Sequence, residues 1–243
     1  MSKIFRFCIG VLIISGSVLI SSSSFLDDIA NTLKISKQQQ SINEKNIAIT
    51  SDNNLIDVPL LNQMDPPRLK AGCEVTSLAM LLNFKGVMVS KNDLAQQIAR
   101  VPFKYSNGYF GNPNSGFVGN MEDGPGLGVY HGPIFDLANK YVNGKVEDLT
   151  SQPFDLILQK VASGNPIWVI NTKTFAPISD LQTWQTSQGA VDITYNMHSV
   201  VITGFDTENI YINNPYGFKN QKVNRENFIK AWDQMGKQAI VIY

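Results

Sequence analysis

The sequence predicts an α+β domain whose helices and strands are segregated along the chain, and three observations lead there. Residues 73–84, 90–99, 133–141 and 153–162 carry helical spacing or helix-start signals. Residues 199–205 and 209–213 are β-rich runs joined by a short turn, Asp206-Thr207-Glu208. Helical patterns therefore dominate the first half and strand patterns the second, as expected when a helical layer covers an antiparallel sheet.

The N-terminus differs from everything after it. Lys3 and Arg6 form a short positive region, Phe7 to Ile20 is almost continuously apolar, and Ser21 to Ser24 are small. That order is the pattern of an export signal, and the apolar stretch is short for a membrane span, which needs ~20 residues. Residues 1–24 are thus expected to be a signal peptide or a membrane anchor, which places the protein outside the cytoplasm, secreted or in the cell envelope. Residues 25–54 are rich in Ser, Lys, Gln and Asn and read as a polar linker. Within it, Leu26, Ile29, Ala30 and Leu33 have the spacing of a short amphipathic helix. Residues 55–243 remain as one domain large enough for a substantial core.

That domain is expected to open with a strand over Leu55 to Leu60, followed by an irregular loop at Asp65-Pro66-Pro67. A helix should run from Cys73 to Phe84, where Val75, Leu78, Ala79 and Leu82 form an apolar stripe, and should stop at Gly86. Ser90 followed by Asp93 marks the cap of a second helix. Residues 104–132 are dense in Gly, Asn and Pro without periodicity, the composition of a functional or mobile loop. After two further helices, the turn Gly164-Asn165-Pro166 leads into a strand over Ile167 to Ile170. A helix near Arg225 to Gln234 and a strand from Gln238 to Tyr243 close the chain.

The 20 basic and 20 acidic side chains cancel, so composition gives no reason to expect nucleic acid or an anionic membrane surface as partner. Hydrophobic residues make up 43%, which suits a globular domain rather than a disordered chain. No phosphate loop, zinc cluster or calcium loop is present, and no cofactor is expected.

Cysteine usage is more pointed. Cys8 lies in the export segment, so Cys73 is the single cysteine of the mature chain and has no partner for an internal disulfide. It is then a small buried hydrophobe, half of an intermolecular bridge, or a reactive thiol. At the first turn of a helix, unpaired N–H groups and the positive end of the dipole favour a thiolate, and Gly72 leaves room for a tight entry. Only two histidines can serve as base. His198 opens an apolar strand that would hold its ring rigidly, whereas His131 sits at the edge of the Gly-rich loop. The ring needs an acceptor on its second nitrogen. Asn214, Asp206 and Asp192 compete for that place, Asn214 being brought back beside His198 by a hairpin. Gln63, ten positions before Cys73 across a loop, could add a side-chain N–H to an oxyanion site.

Four blocks in order, Val58 to Met64, Gly72-Cys73-Glu74-Val75-Thr76-Ser77, Met197-His198-Ser199-Val200-Val201 and Asn214-Pro215-Tyr216-Gly217, resemble the bacterial peptidase C39-like family. The Gly-rich stretch Gly108 to Pro133 resembles exported members of that group. The resemblance implies a papain-like α+β fold, with N-terminal helices including the nucleophile helix packed on a C-terminal antiparallel sheet. It implies that Cys73 attacks, His198 shuttles the proton, Asn214 orients His198 and Gln63 serves the oxyanion hole, with a peptide or protein as substrate. The family usually has aspartate before the proline, and this chain has Asn214. A catalytically silent peptide-binding module and a cell-wall peptide amidase are the alternatives with the same architecture.

Overall fold

Sheet topology explains why three apolar strands in the second half of the chain can be buried on both faces. In the computed structural model, which describes residues 27, 29–38 and 55–243, six strands form one antiparallel sheet in the order β3-β10-β4-β7-β8-β9. These are β3 (Val146–Asp148), β10 (Ala239–Ile242), β4 (Ile167–Thr172), β7 (Met197–Phe205), β8 (Asn209–Asn214) and β9 (Phe218–Asn224). Strands β4, β7 and β10 are buried along their full length.

Side chains alternate across such strands, and the two cores divide accordingly. Trp168, Ile170, Val201, Ile240 and Ile242 point into one core with the helices α2 (Cys73–Phe84), α3 (Lys91–Gln97) and α4 (His131–Val142). Ile167, Val169, Val200, Ile202, Ala239 and Val241 point into the other, with α5 (Phe154–Ala162) and α6 (Arg225–Gln234). Both faces of the sheet are therefore covered, and the layers are more interleaved than the order of elements along the chain suggests.

Most local expectations hold. Helix α2 spans Cys73–Phe84, α3 is opened by a Ser90/Asp93 capping box, and Pro153 is the N-cap of α5. Asp206 is a turn residue whose carboxylate accepts from the N–H groups of Glu208 and Asn209. Residues 29–38 are helical (α1), with Ile29, Leu33 and Ile35 exposed. Leu26, the segment 1–24 and the linker residues 39–54 lie outside the described residues. Among the described residues no helix is long and apolar enough to cross a membrane.

The strand expected over Leu55 to Leu60 does not form. Its ladder is limited to Ile56 N–H donating to Thr203 O at 2.8 Å, and Val58 N–H turns back to Ile56 O at 2.8 Å, so pairing never becomes continuous. The Gly-rich region is also more ordered than its composition suggests. Strand β2 (Phe117–Val118) pairs in parallel with β1 (Arg100–Val101). A hairpin of β5 (Gln182–Thr186) and β6 (Gly189–Ile193), which the sequence did not announce, packs onto this region. Its anchor is Trp184, stacked on Phe110 with ring centroids 4.2 Å apart and edge-on to Phe103.

Candidate active site

Helix α2 runs beside β7, and the first residue of the helix and the second of the strand meet at one cavity of about 280 Å³. Cys73 and His198 both line it, together with Gln63, Gly126, Lys173 and Tyr216. Asn214, at the end of β8, is placed against His198 by the β7–β8 hairpin. All four residues singled out from the sequence thus gather at one place. The rivals do not. Asp192 accepts from Thr183 on the β5–β6 hairpin. His131 Nδ1 lies 2.6 Å from Asp148 Oδ2 at a separate cavity.

The hydrogen bonds around Asn214 define the state of the histidine. His198 Nε2 lies 2.9 Å from Asn214 Oδ1. The same oxygen accepts from the Tyr216 backbone N–H at 3.1 Å, and Asn214 Nδ2 donates to Gln221 Oε1 at 2.8 Å. A backbone N–H can only donate, so the atom facing it is the amide oxygen. His198 Nε2 therefore carries the proton and Nδ1 holds the free lone pair. Tyr216 stacks on the ring at 5.0 Å and 14°, with Phe175 at 6.2 Å on a tilt. Burial pushes the His198 pKa down to about 4, against the raising influence of Asn214 and with the Lys173 ammonium adding to the depression.

The immediate partner of Cys73 is a residue that sequence reasoning did not single out. Cys73 donates to Glu74 Oε2 at 3.3 Å, and among the described residues no hydrogen bond joins Cys73 to His198. Glu74 is completely buried. Its Oε1 accepts from Val129 N–H at 3.1 Å, and its backbone carbonyl accepts from Trp168 Nε1 at 3.0 Å. Desolvation raises the Glu74 carboxyl to about 7, against the lowering effect of the N–H groups of Glu74 and Val129. Burial, then the Glu74 charge, holds the Cys73 thiol well above its ordinary value, opposed by a backbone hydrogen bond from Ser199. A signal for this was available. Glu74 is the one charged residue in Cys73–Phe84, a helix otherwise apolar or neutral all round, and such a helix is buried on every side.

Gln63 is buried beside the cavity, but its amide nitrogen donates to Leu69 O and Lys70 O, both at 3.1 Å. Its Oε1 is buried without a partner. Gln63 thus shapes the loop that leads into Cys73. Among the described residues no three of His, Cys, Asp or Glu converge as a metal site would require.

A sequence model of the Peptidase_C39 like family matches residues 55–240. The chain belongs to the peptidase C39-like family. An uncharacterised protein of Bacillus subtilis (strain 168), YvpB, is 56% identical over 187 residues, which are 77% of this chain and 75% of that protein. A solved structure from Bacillus anthracis, of a protein assigned to the C39-like peptidases, superposes with a TM-score of 0.75 at 45% identity. It covers 79% of this chain and 98% of the other. Within the peptidase C39-like fold the segments matched by the family model include every residue of the cavity, from Gln63 to Tyr216.

Proposed function

We propose that this C39-like chain is an exported thiol peptidase that cuts peptide bonds through a thioester on Cys73, with His198 as base, Asn214 orienting it and Gln63 assisting the oxyanion. The observation that carries this reading is the fixed tautomer of His198. Asn214 holds the Nε2 proton and leaves Nδ1 basic, in the same cavity as the sulfur. In the forward step Cys73 Sγ attacks the substrate carbonyl carbon and its proton passes to His198 Nδ1. That proton is then delivered to the leaving amine nitrogen as the C–N bond breaks. Water, losing a proton to the same Nδ1, attacks the thioester and releases the acid, and the proton returns to sulfur. The Cys73 N–H, in the first turn of α2 and without an intrahelical acceptor, is the backbone donor for developing negative charge on the carbonyl oxygen. Gln63 joins it by giving up one of its bonds to the 69 and 70 carbonyls. Export, and any retained membrane attachment, rest on Lys3, Arg6 and the apolar run Phe7 to Ile20.

A second reading is favoured by the Cys73–Glu74 bond. A thiol held protonated by a neighbouring carboxylate, with Gln63 already engaged, suits a silent peptide-binding module. The deciding experiment incubates native protein, Cys73→Ala and His198→Ala with a mixed peptide library and trapped acyl-enzyme is sought by mass at Cys73. Cleavage and a Cys73 adduct in native protein alone support the peptidase. Peptide binding without cleavage, equal in native protein and Cys73→Ala, supports the silent module.

A further inference from the structure

The charged side chains that line the cavity at Cys73 are of one sign, although the buried Glu74 carboxyl lies behind the sulfur. Lys70 and Lys173 line the cavity, and neither aspartate nor glutamate does. Among the described residues neither ammonium has an ion pair or a hydrogen bond, although both backbones are fixed. Lys173 N–H donates to Asn196 O at 2.8 Å, and Lys70 N–H donates to Glu122 O at 3.3 Å. The two lysines come from different parts of the chain, Lys70 three residues before the nucleophile and Lys173 just after β4.

Acidic groups nearby are already engaged. Glu122 pairs with Arg100 and Asp123 with Arg68, while Asp180 is held only by the neutral donors Thr194 and Asn196 and keeps its charge. Glu74 is buried and occupied by the thiol and the Val129 N–H. On a chain with equal numbers of acidic and basic residues, an unneutralised pair of ammonium groups in the catalytic cleft is a local positive field rather than part of a general basic surface. Of the two, Lys173 bears on both Cys73 and His198, as the smallest of the influences on each.

We infer that the cleft selects substrates that place a carboxylate close to the bond being cut, with Lys173 and Lys70 as its electrostatic clamp. This rests on the peptidase reading for the cutting, but not for the selectivity. Two sources share that chemistry: an aspartate or glutamate side chain within a peptide, and the free carboxylate of a peptide C-terminus. In either case an ammonium on a flexible stem acts as a point charge and needs no fixed fork geometry.

The test separates selectivity from catalysis. Cys73 is alkylated with iodoacetate and with iodoacetamide, and the ratio of the two rates is read at Cys73 by peptide mass. The thiolate fraction cancels in that ratio, leaving the preference of the cleft for a negative reagent. In Lys70→Met/Lys173→Met the ratio is expected to fall about fivefold at low salt, the size of two ammonium groups acting across a solvated cleft. It is expected to recover in Lys70→Arg/Lys173→Arg and to shrink in native protein at ~1 M salt. An unchanged ratio in the double methionine variant overturns the inference whether or not any peptide is cleaved.

Three peptides then identify the source of the carboxylate: one with an internal glutamate and an amidated end, one neutral with a free C-terminus, and one neutral and amidated. Faster cleavage of the first or the second assigns the side chain or the terminus. Equal cleavage of all three overturns the substrate preference and leaves the peptidase reading standing. A fall in the ratio with no peptide cleaved retains the carboxylate site and removes the peptidase reading.

Discussion

Cys73 donates its thiol proton to the carboxylate of the next residue, Glu74, across 3.3 Å. A negative charge that close opposes loss of the proton from sulfur, and it adds to the effect of burial. In the proposed reaction this is an electrostatic restraint that His198 and the helix terminus must overcome.

Replacing Glu74 with Gln removes the charge and keeps the shape. The pH midpoint of Cys73 alkylation by iodoacetamide is expected to move down by at least about one unit, since a like charge in hydrogen-bond contact shifts a neighbour by that order. A midpoint at or above the native one would show that the carboxylate stabilises the thiolate instead. The change is measured as rate against pH, with the site read by peptide mass.

Asn214→Asp tests how the amide limits the base. A carboxylate opposite Nε2 stabilises the imidazolium more than an amide does. The His198 pKa, about 4 in the native protein, is therefore expected to rise. An NMR titration of the two histidines follows it directly, and a value at or below the native one counts against the orienting role.

Stability against pH carries the signature of two buried groups with opposite signs. Glu74 has its pKa raised from 4.5 to about 7 on folding. The folded state then binds the extra proton, and this contribution is full below 4.5 and lost as pH rises through 7. His198 is lowered from 6.5 to about 4. The unfolded state then binds the extra proton, so its contribution is present above 6.5 and lost as pH falls through 4. Each amounts to about 3 kcal/mol at the limit. Between pH 7 and 4.5 the two largely offset. Urea unfolding of Glu74→Gln is expected to show a steeper loss of stability over that window than native protein, and parallel curves would rule out the buried Glu74 carboxyl as a titrating group.

Gly128→Ala addresses the loop that holds Glu74. Gly128 has φ +144°, and a Cβ there would come within 2.0 Å of Met197 Cε and 2.3 Å of Glu74 Oε1. Met197 can swing its methyl away, but Glu74 Oε1 is tied to Val129 N–H. The variant is expected to lose about 1–3 kcal/mol in denaturant unfolding, the usual cost of overpacking a tight site. It is also expected to alter the alkylation profile of Cys73. Native-like behaviour in both measurements would mean that the loop moves freely away from α2.

Elements governed by neighbours along the chain were legible before any fold was known. The apolar stripe Val75, Leu78, Ala79, Leu82 and the turn after Phe84 bound α2, the Ser90/Asp93 pair starts α3, and the closing helix lies at Arg225–Gln234 as its pattern indicates. The ordered Gln, Cys, His and Asn blocks carried the family and the four residues that now share one cavity or adjoin it. The hairpin Gln182–Ile193 stayed hidden because its strands are mostly exposed and lack a sustained apolar alternation, and it is held by Trp184 reaching residues more than seventy positions earlier.

The sequence by itself determined the helices, the two central strands, the candidate nucleophile and base and the family, because those depend on spacing and side-chain type over short stretches. Only the tertiary structure decided the condition of the site. The proton on His198 Nε2, the burial of Glu74 against the thiol, the engagement of Gln63 by the 69 and 70 carbonyls and the two unpaired ammonium groups in the cleft all depend on residues from separate segments. Desolvation and hydrogen-bond partners set these states, and neither exists until the sheet and helix α2 are packed together.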